Sequence, residues 1–282
     1  MIVLSHFQTT PLLEARGKRD AVKISPDLGL SFVEVLLGDY VYFPQEEPIS
    51  WTLVKKIEEK RNNCFQIENG EAVKIQEFSE VHNRIYTLYP TESAPTMLIS
   101  GIPMHRIKDT NPRKDSQDKM TAFGETGGHI LDTATGLGYT AILSAETSDR
   151  VTSIELDPAA QMIAKQNPWS QDLFTNPKIN LIIGDSGEII KTFKEHFFSG
   201  IVHDPPMLSM AGELYSLTFY KEALRVLKPN GRMFHYIGDP ASRSGNSVTR
   251  GVIKRLKEAG FSRVVPSPNA FGVVAYKYRK MA

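Results

Sequence analysis

The chain has 282 residues and a net charge of +1, with 33 basic residues against 32 acidic ones, so no overall basic field marks it as a dedicated nucleic-acid binder. Hydrophobic residues make up 41%, enough for a sizeable core, and this excludes global disorder. The single cysteine, Cys64, excludes a disulfide framework within the chain and a thiolate zinc cluster, and no His/Asp/Glu group has metal-ligand spacing.

No apolar run approaches the length of a membrane span, and the N-terminus lacks a charged start and an apolar core. A cytoplasmic protein with no membrane partner is therefore expected.

From Val22 to Ser100 the signals are mostly strand-like. Leu30–Leu37 and Tyr40–Phe43 are β-rich and flank Gly38-Asp39, a hairpin signal. Ser50 is set to cap a helix from Trp51 to about Arg61. Cys64–Ile67, a turn at Asn69-Gly70, Ala72–Phe78, Arg84–Tyr89 and Thr96–Ser100 continue the strand pattern. Residues 1–124 read as a small α+β domain ending in a polar linker. That linker, Lys108 to Lys119, has the composition of an exposed loop.

From His129 onward strands and helices alternate. The strands are His129–Asp132, Val151–Glu155, Asn180–Gly184, Gly200–His203, Arg232–Ile237, the neighbourhood of Val264, and Phe271–Tyr278. Helices are expected at Tyr139–Glu146, Pro158–Gln166, Gly187–Phe193, Leu214–Leu227 and Val248–Ala259. This alternation calls for a mostly parallel sheet covered on both faces, so residues 125–282 form a doubly wound α/β domain.

The first of these strands ends in Asp132-Thr133-Ala134-Thr135-Gly136-Leu137-Gly138-Tyr139, which also opens the first helix. Glycine lets such a turn fold tightly and approach a ligand closely. Gly136, Gly138 and Ala141 also fit a dinucleotide fingerprint, so the turn alone leaves a nicotinamide oxidoreductase open. The second strand ends in Glu155, a carboxylate suited to a ribose diol.

These stretches resemble the class I methyltransferases. That family has an acidic residue before a glycine-rich turn, here Asp132 to Gly138. It has an acidic second strand end, here Glu155 with Leu156-Asp157-Pro158. An Asp follows the third strand, here Gly184-Asp185-Ser186, and Leu227-Lys-Pro-Asn-Gly231 stands before the fifth. The resemblance covers about 125–282 and implies a seven-stranded, mostly parallel sheet. More narrowly, Ala94–His105, Asn167–Ser170 and His203–Pro206 resemble an uncharacterised group of predicted prokaryotic methyltransferases.

The resemblance implies S-adenosylmethionine as cofactor. Asp132 and Gly136 to Gly138 would border its methionine part, Glu155 would hold its ribose and Asp185 its adenine edge, with Thr133, Ala134, Thr135, Tyr139, Leu156 and Ser186 as further cofactor contacts. The fourth strand ends in His203-Asp204-Pro205-Pro206, similar to the Asp/Asn-Pro-Pro-aromatic motif of amino-group methyltransferases. It implies that Asp204, Pro205 and Pro206 orient an amino nitrogen of a small molecule or RNA. The fourth position is Met207 rather than an aromatic, so stacking would have to come from Tyr215, Tyr220 or Trp169.

His203 reads either as a general base or as a core histidine. One of His235 and Tyr236 should reach the site, and His235 is taken as a substrate contact with Tyr215 and His105. Ala211-Gly-Glu213-Leu-Tyr215-Ser-Leu-Thr-Phe-Tyr220 also resembles polyamine aminopropyltransferases, although their Gly-Gly-Gly-Asp-Gly turn is absent. Aminopropyl transfer is the alternative reaction. RNA binding by residues 1–124 without catalysis is another, which the missing basic run disfavours.

Overall fold

A computed structural model describes residues 1–239, 242 and 245–278. The chain forms two compact units, Met1–Arg113 with Ala159–Gln171, and Lys114–Pro158 with Asp172–Ala282.

The first unit runs β1 (Ile2–Leu4), α1 (His6–Ala15), β2 (Ala21–Ile24), β3 (Val33–Leu37), β4 (Tyr40–Tyr42), β5 (Ile49–Ser50), α2 (Trp51–Glu58), β6 (Phe65–Glu68), β7 (Glu71–Lys74), β8 (Gln76–Ser79), β9 (Arg84–Tyr89), β10 (Thr96–Ile99) and β11 (Ile102–Pro103). Its strands make three small sheets, ordered β1-β6-β7, β2-β3-β4-β5 and β11-β10-β9-β8, all paired antiparallel. Ser50 caps α2 as its position predicts, with its hydroxyl accepting from the Leu53 N–H at 3.2 Å. Asn69 and Gly70 both have positive φ, the two-residue turn that fits a twisted hairpin.

The chain continues as α3 (Pro112–Phe123), β12 (His129–Asp132), α4 (Tyr139–Thr147), β13 (Arg150–Glu155), α5 (Pro158–Gln166), α6 (Gln171–Thr175), β14 (Ile179–Ile183), α7 (Ser186–Thr192), β15 (Phe198–His203), α8 (Leu217–Val226), β16 (Leu227–Tyr236), α9 (Gly245–Ala259), β17 (Arg263–Ser267) and β18 (Gly272–Tyr276). Most of α5 belongs to the first unit.

The seven strands of the second unit lie in the order β14-β13-β12-β15-β16-β18-β17. β18 pairs antiparallel with both neighbours, and the remaining pairs are parallel. This is the doubly wound α/β fold expected from the alternation, with the seven-stranded, class I methyltransferase-like sheet that the resemblance implies. Helix α8 shows how cover is supplied: Phe219, Tyr220, Ala223 and Val226 recur at helical spacing and are buried. They join Leu131 and Ile201 of the central strands in one core. Among the described residues no helix is long and apolar enough to cross a membrane.

The chain leaves β12 toward β13 and β14, then returns to pair β15 on the other side of β12. Strand order therefore reverses between β12 and β15. Ligands of open α/β sheets bind outside the carboxyl ends of strands at such a switch point.

One expectation fails here. Pro112–Phe123 is a helix, although its composition reads as an exposed loop. Proline stands at its first position, where no N–H is needed, and Asp115 lies in its first turn, where the helix dipole favours negative charge. Its buried residues include Asp115, Ser116, Lys119 and Phe123, a stripe of helical period. Two charged residues in that stripe hide it from a hydropathy reading.

Candidate active site

The turn after β12 is stitched to both neighbouring strands. The Thr133 N–H donates to the Val202 carbonyl of β15 at 3.1 Å, and the Thr135 N–H donates to the Ile154 carbonyl of β13 at 3.0 Å. Gly136 and Gly138 have φ of +52° and +78°, values L side chains rarely adopt. A Cβ on Gly138 would lie 2.6 Å from a Leu173 methyl, whereas one on Gly136 would meet open space. At Gly136, then, the backbone faces room for a ligand.

Asp132 is buried beneath this turn. It accepts hydrogen bonds from Ser153 Oγ at 3.0 Å, Thr140 Oγ1 at 3.3 Å and the Ala134 N–H at 3.5 Å. Burial pushes its carboxyl up to about 7, against the pull of those donors. Thr133 and Thr135 are likewise turned inward, and Tyr139 and Gly138 are buried. The expected ligand-bordering residues thus differ in exposure. Ala134 and Gly136 are the half-buried members of the turn, and the others brace it.

Glu155 ends β13. Its Oε2 accepts from the Gly136 N–H at 2.8 Å and its Oε1 from the Asp157 N–H at 3.0 Å. Each carboxylate oxygen has a second lone-pair direction, so a vicinal diol can still be accepted. Burial raises this carboxyl above its ordinary value. Leu156 beside it is exposed, an apolar surface for a flat ring. Asp185 caps α7 by accepting from the Gly187 N–H at 2.6 Å and is itself exposed. Ser186 Oγ donates to the Thr133 carbonyl at 2.5 Å and so ties α7 to the turn. Open backbone at Gly136, a diol acceptor at Glu155, apolar Leu156 and a polar edge at Asp185 together fit an S-adenosyl group.

The other side of the switch point begins at His203, in register with His235 on β16. His203 is completely buried. Its Nε2 lies 2.9 Å from the Leu214 carbonyl, which can only accept, so Nε2 carries the proton. Nδ1 therefore accepts from Thr133 Oγ1 at 2.6 Å. Burial lowers the imidazole to about 4. Both nitrogens are committed within the fold, which corrects the general-base reading of His203 in favour of the core one.

Two further substrate readings are corrected in the same way. His235 is fully buried, and its Nε2 lies 2.8 Å from the Tyr220 hydroxyl. Tyr215 is enclosed, and its hydroxyl donates to the Pro206 carbonyl at 3.1 Å, so it holds the loop. Tyr236, the alternative partner of that strand end, is half-buried. Pro205 is buried, Pro206 half-buried and Met207 exposed. His105 belongs to the first unit, where its N–H donates to Thr96 Oγ1 at 3.3 Å and Nδ1 lies 3.0 Å from the same oxygen. Trp169 also belongs to that unit and donates its Nε1–H to the Leu28 carbonyl at 3.1 Å.

Asp204 is partly exposed at the end of β15, and its Oδ2 lies 2.6 Å from Lys119 Nζ. Lys119 is also 2.9 Å from Asp115 Oδ2 and stands over the Tyr236 ring, 4.4 Å from its centre. Burial works against this ammonium, but Asp204 and Asp115 hold it well above the ordinary lysine range. Neither Lys119 nor Asp115 was anticipated. The available signal was their four-residue spacing behind Pro112.

No family model matches the chain. In sequence it is similar to an uncharacterized protein of Methanocaldococcus jannaschii, 42% identical over 239 residues, which make up 84% of this chain and 81% of that one. It is 29% identical over 116 residues to a polyamine aminopropyltransferase of Sulfolobus acidocaldarius, 40% of this chain and 38% of that enzyme's length. A spermidine synthase structure from Thermotoga maritima superposes with a TM-score of 0.57 at 14% identity, over 76% of this chain and 77% of that one. At that identity the likeness is one of fold.

Proposed function

We propose that this chain, which belongs to one family with the uncharacterized protein of Methanocaldococcus jannaschii, transfers a methyl group from S-adenosylmethionine to the amino nitrogen of a small amine. The observation that carries this reading is the juxtaposition of two strand ends. Asp132 pairs with Val202 across β12 and β15, so the glycine turn and Asp204 emerge side by side.

When bound, the sulfonium supplies an alkyl carbon whose bond to sulfur breaks with the electron pair passing to sulfur. Glu155 accepts the ribose hydroxyls, Leu156 packs against the adenine, and Asp185 receives its edge. The backbone at Ala134 and Gly136 leaves space for the amino-acid tail. Asp204 accepts an N–H of the neutral amine and aims its lone pair, and as the N–C bond forms the product nitrogen becomes an ammonium that keeps its proton beside this carboxylate. Orientation of the nucleophile and carbon accounts for much of the rate in such a transfer. Pro205 and Pro206 restrict the backbone beside Asp204 and support that orientation.

Isothermal titration tests the donor. Binding of S-adenosylmethionine and S-adenosylhomocysteine is expected, and absence of both would sink the reading. Mass spectrometry after incubation with a panel of mono-, di- and polyamines then identifies the acceptor by a gain of one methyl.

Aminopropyl transfer is the second reading. The Glu213 to Tyr220 segment and the stretch shared with the aminopropyltransferase favour it. It requires tighter binding of decarboxylated S-adenosylmethionine than of the carboxylated form, and a gain of one aminopropyl group. The opposite preference removes it.

A further inference from the structure

Helix α3 presents Asp115 and Lys119 four residues apart, one turn above the other on the same face. Both side chains are enclosed, at 0% and 1% exposure. A lone lysine at such a depth would shed its proton, so the ammonium persists because carboxylates surround it. Its three N–H donors have three takers: Asp115, Asp204 and the face of the Tyr236 ring. No donor is left for a ligand, which separates Lys119 from the groups that touch substrate.

The other partners come from two adjacent strands. His203 and His235 are directly paired on β15 and β16, so Asp204 and Tyr236, each the next residue along, lie at one level. A single ammonium therefore reaches a carboxylate and an aromatic ring at neighbouring strand ends. Further titratable groups act on Asp204. Asp132 of β12 and Tyr215 of the Gly212–Tyr215 turn are both raised in part by its charge.

We propose that Lys119 is a positioning residue for Asp204, holding its carboxylate ionised and fixed in direction, while Asp115 sets how much of the lysine charge Asp204 receives. The proposal deepens the reading of Asp204 as the acceptor's partner and rests on it for its catalytic meaning. Holding the carboxylate in advance spares reorganisation when the amine arrives.

The two partners act on Asp204 with opposite sign. Removing Lys119 strips an attractive cation, so the protonation midpoint of Asp204 moves up. Removing the charge of Asp115 takes away a like charge and leaves the cation, so that midpoint moves down. A merely structural pair would leave the acid limb of kcat/KM unmoved.

The experiment is a carbon-detected carboxyl titration of the full chain, with Asp204 assigned through Asp204→Asn. It compares wild type, Lys119→Met, Lys119→Arg and Asp115→Asn. A rise of about one pH unit or more in Lys119→Met, a fall in Asp115→Asn and near-wild-type behaviour in Lys119→Arg support the proposal. An unmoved midpoint in both neutralised variants overturns it. Should Lys119→Met fail to fold, an upward or absent shift in Asp115→Asn overturns it alone. The acid limb of kcat/KM for the accepted amine is expected to follow each midpoint. If no amine is alkylated by any S-adenosyl donor, the functional reading fails, and the titration still decides on Lys119.

Discussion

Lys119 Nζ and Asp204 Oδ2 stand 2.6 Å apart although 85 positions separate them in the chain. The contact joins a helix that precedes the glycine turn to the strand end expected to hold the acceptor. It also accounts for a lysine that is almost wholly enclosed.

Removing the Asp204 carboxylate tests the acceptor side. Asp204→Asn is expected to lower kcat by about a hundredfold or more, in line with loss of a group that orients the nucleophile. Donor affinity measured by titration should stay near that of wild type, because Glu155 and the turn are untouched. An equal loss in donor binding would move Asp204 to the other end of the site.

The buried ion group has a stability signature. Lys119→Met leaves two carboxylates facing each other, and a loss of about 3–5 kcal/mol in urea denaturation is expected. Adding Asp115→Asn should restore part of that loss, since one of the stranded charges is removed. Strictly additive effects of the two substitutions would contradict this coupling.

Donor binding turns on Glu155. Glutamine there keeps one acceptor oxygen but sets an NH2 group against the N–H of Gly136 or Asp157. Glu155→Gln is expected to weaken S-adenosylhomocysteine binding by roughly 10- to 100-fold, the range for lost hydrogen bonds to a charged group. Calorimetry of the variant against wild type gives the answer.

Asp132 and His203 predict opposite pH dependences. The folded Asp132 carboxyl lies at about 7 against 3.8 for the free group, so the folded state holds the extra proton. Its stabilising contribution is full below about 4 and is lost as pH rises through 7. Folded His203 lies at about 4 against 6.5, so its contribution is present above 6.5 and is lost as pH falls through 4. Asp132→Asn should therefore flatten the decline in stability from pH 5 to 7, measured as the urea midpoint across pH. A steeper decline in that variant would reverse the assignment.

A last expectation concerns the turn. Gly138→Ala combines a positive φ with a 2.6 Å approach to Leu173, and a cost of about 1–3 kcal/mol is expected. Pairing it with Leu173→Ala removes the clash but keeps the strained backbone, so thermal denaturation should show only partial recovery.

The strand ends and the glycine turn between them were legible because their signals are local. Asp132 to Gly138 are consecutive, and Glu155 closes the next strand, so alternation alone brings them together at a switch point. The inward turn of Asp132, Thr133 and Thr135 was not legible, since a motif says which residues occur in a turn and not which way each side chain faces. Alternation along β16 sets His235 and Tyr236 on opposite faces, and taking His235 as the substrate contact was a choice that alternation alone does not make. Packing decided that: His235 meets Tyr220 and His203 within the core.

By itself, the sequence determined the doubly wound architecture and the place of the glycine turn between its first strand and helix, because periodicity and short motifs act over a few residues. The tertiary structure alone decided that Pro112–Phe123 is a helix with a charged buried face, and that Asp204 is met there by Lys119. A hydropathy pattern registers burial only when the buried residues are apolar. The partner that makes a buried charge tolerable lies on another element, where folding brings it within hydrogen-bond distance.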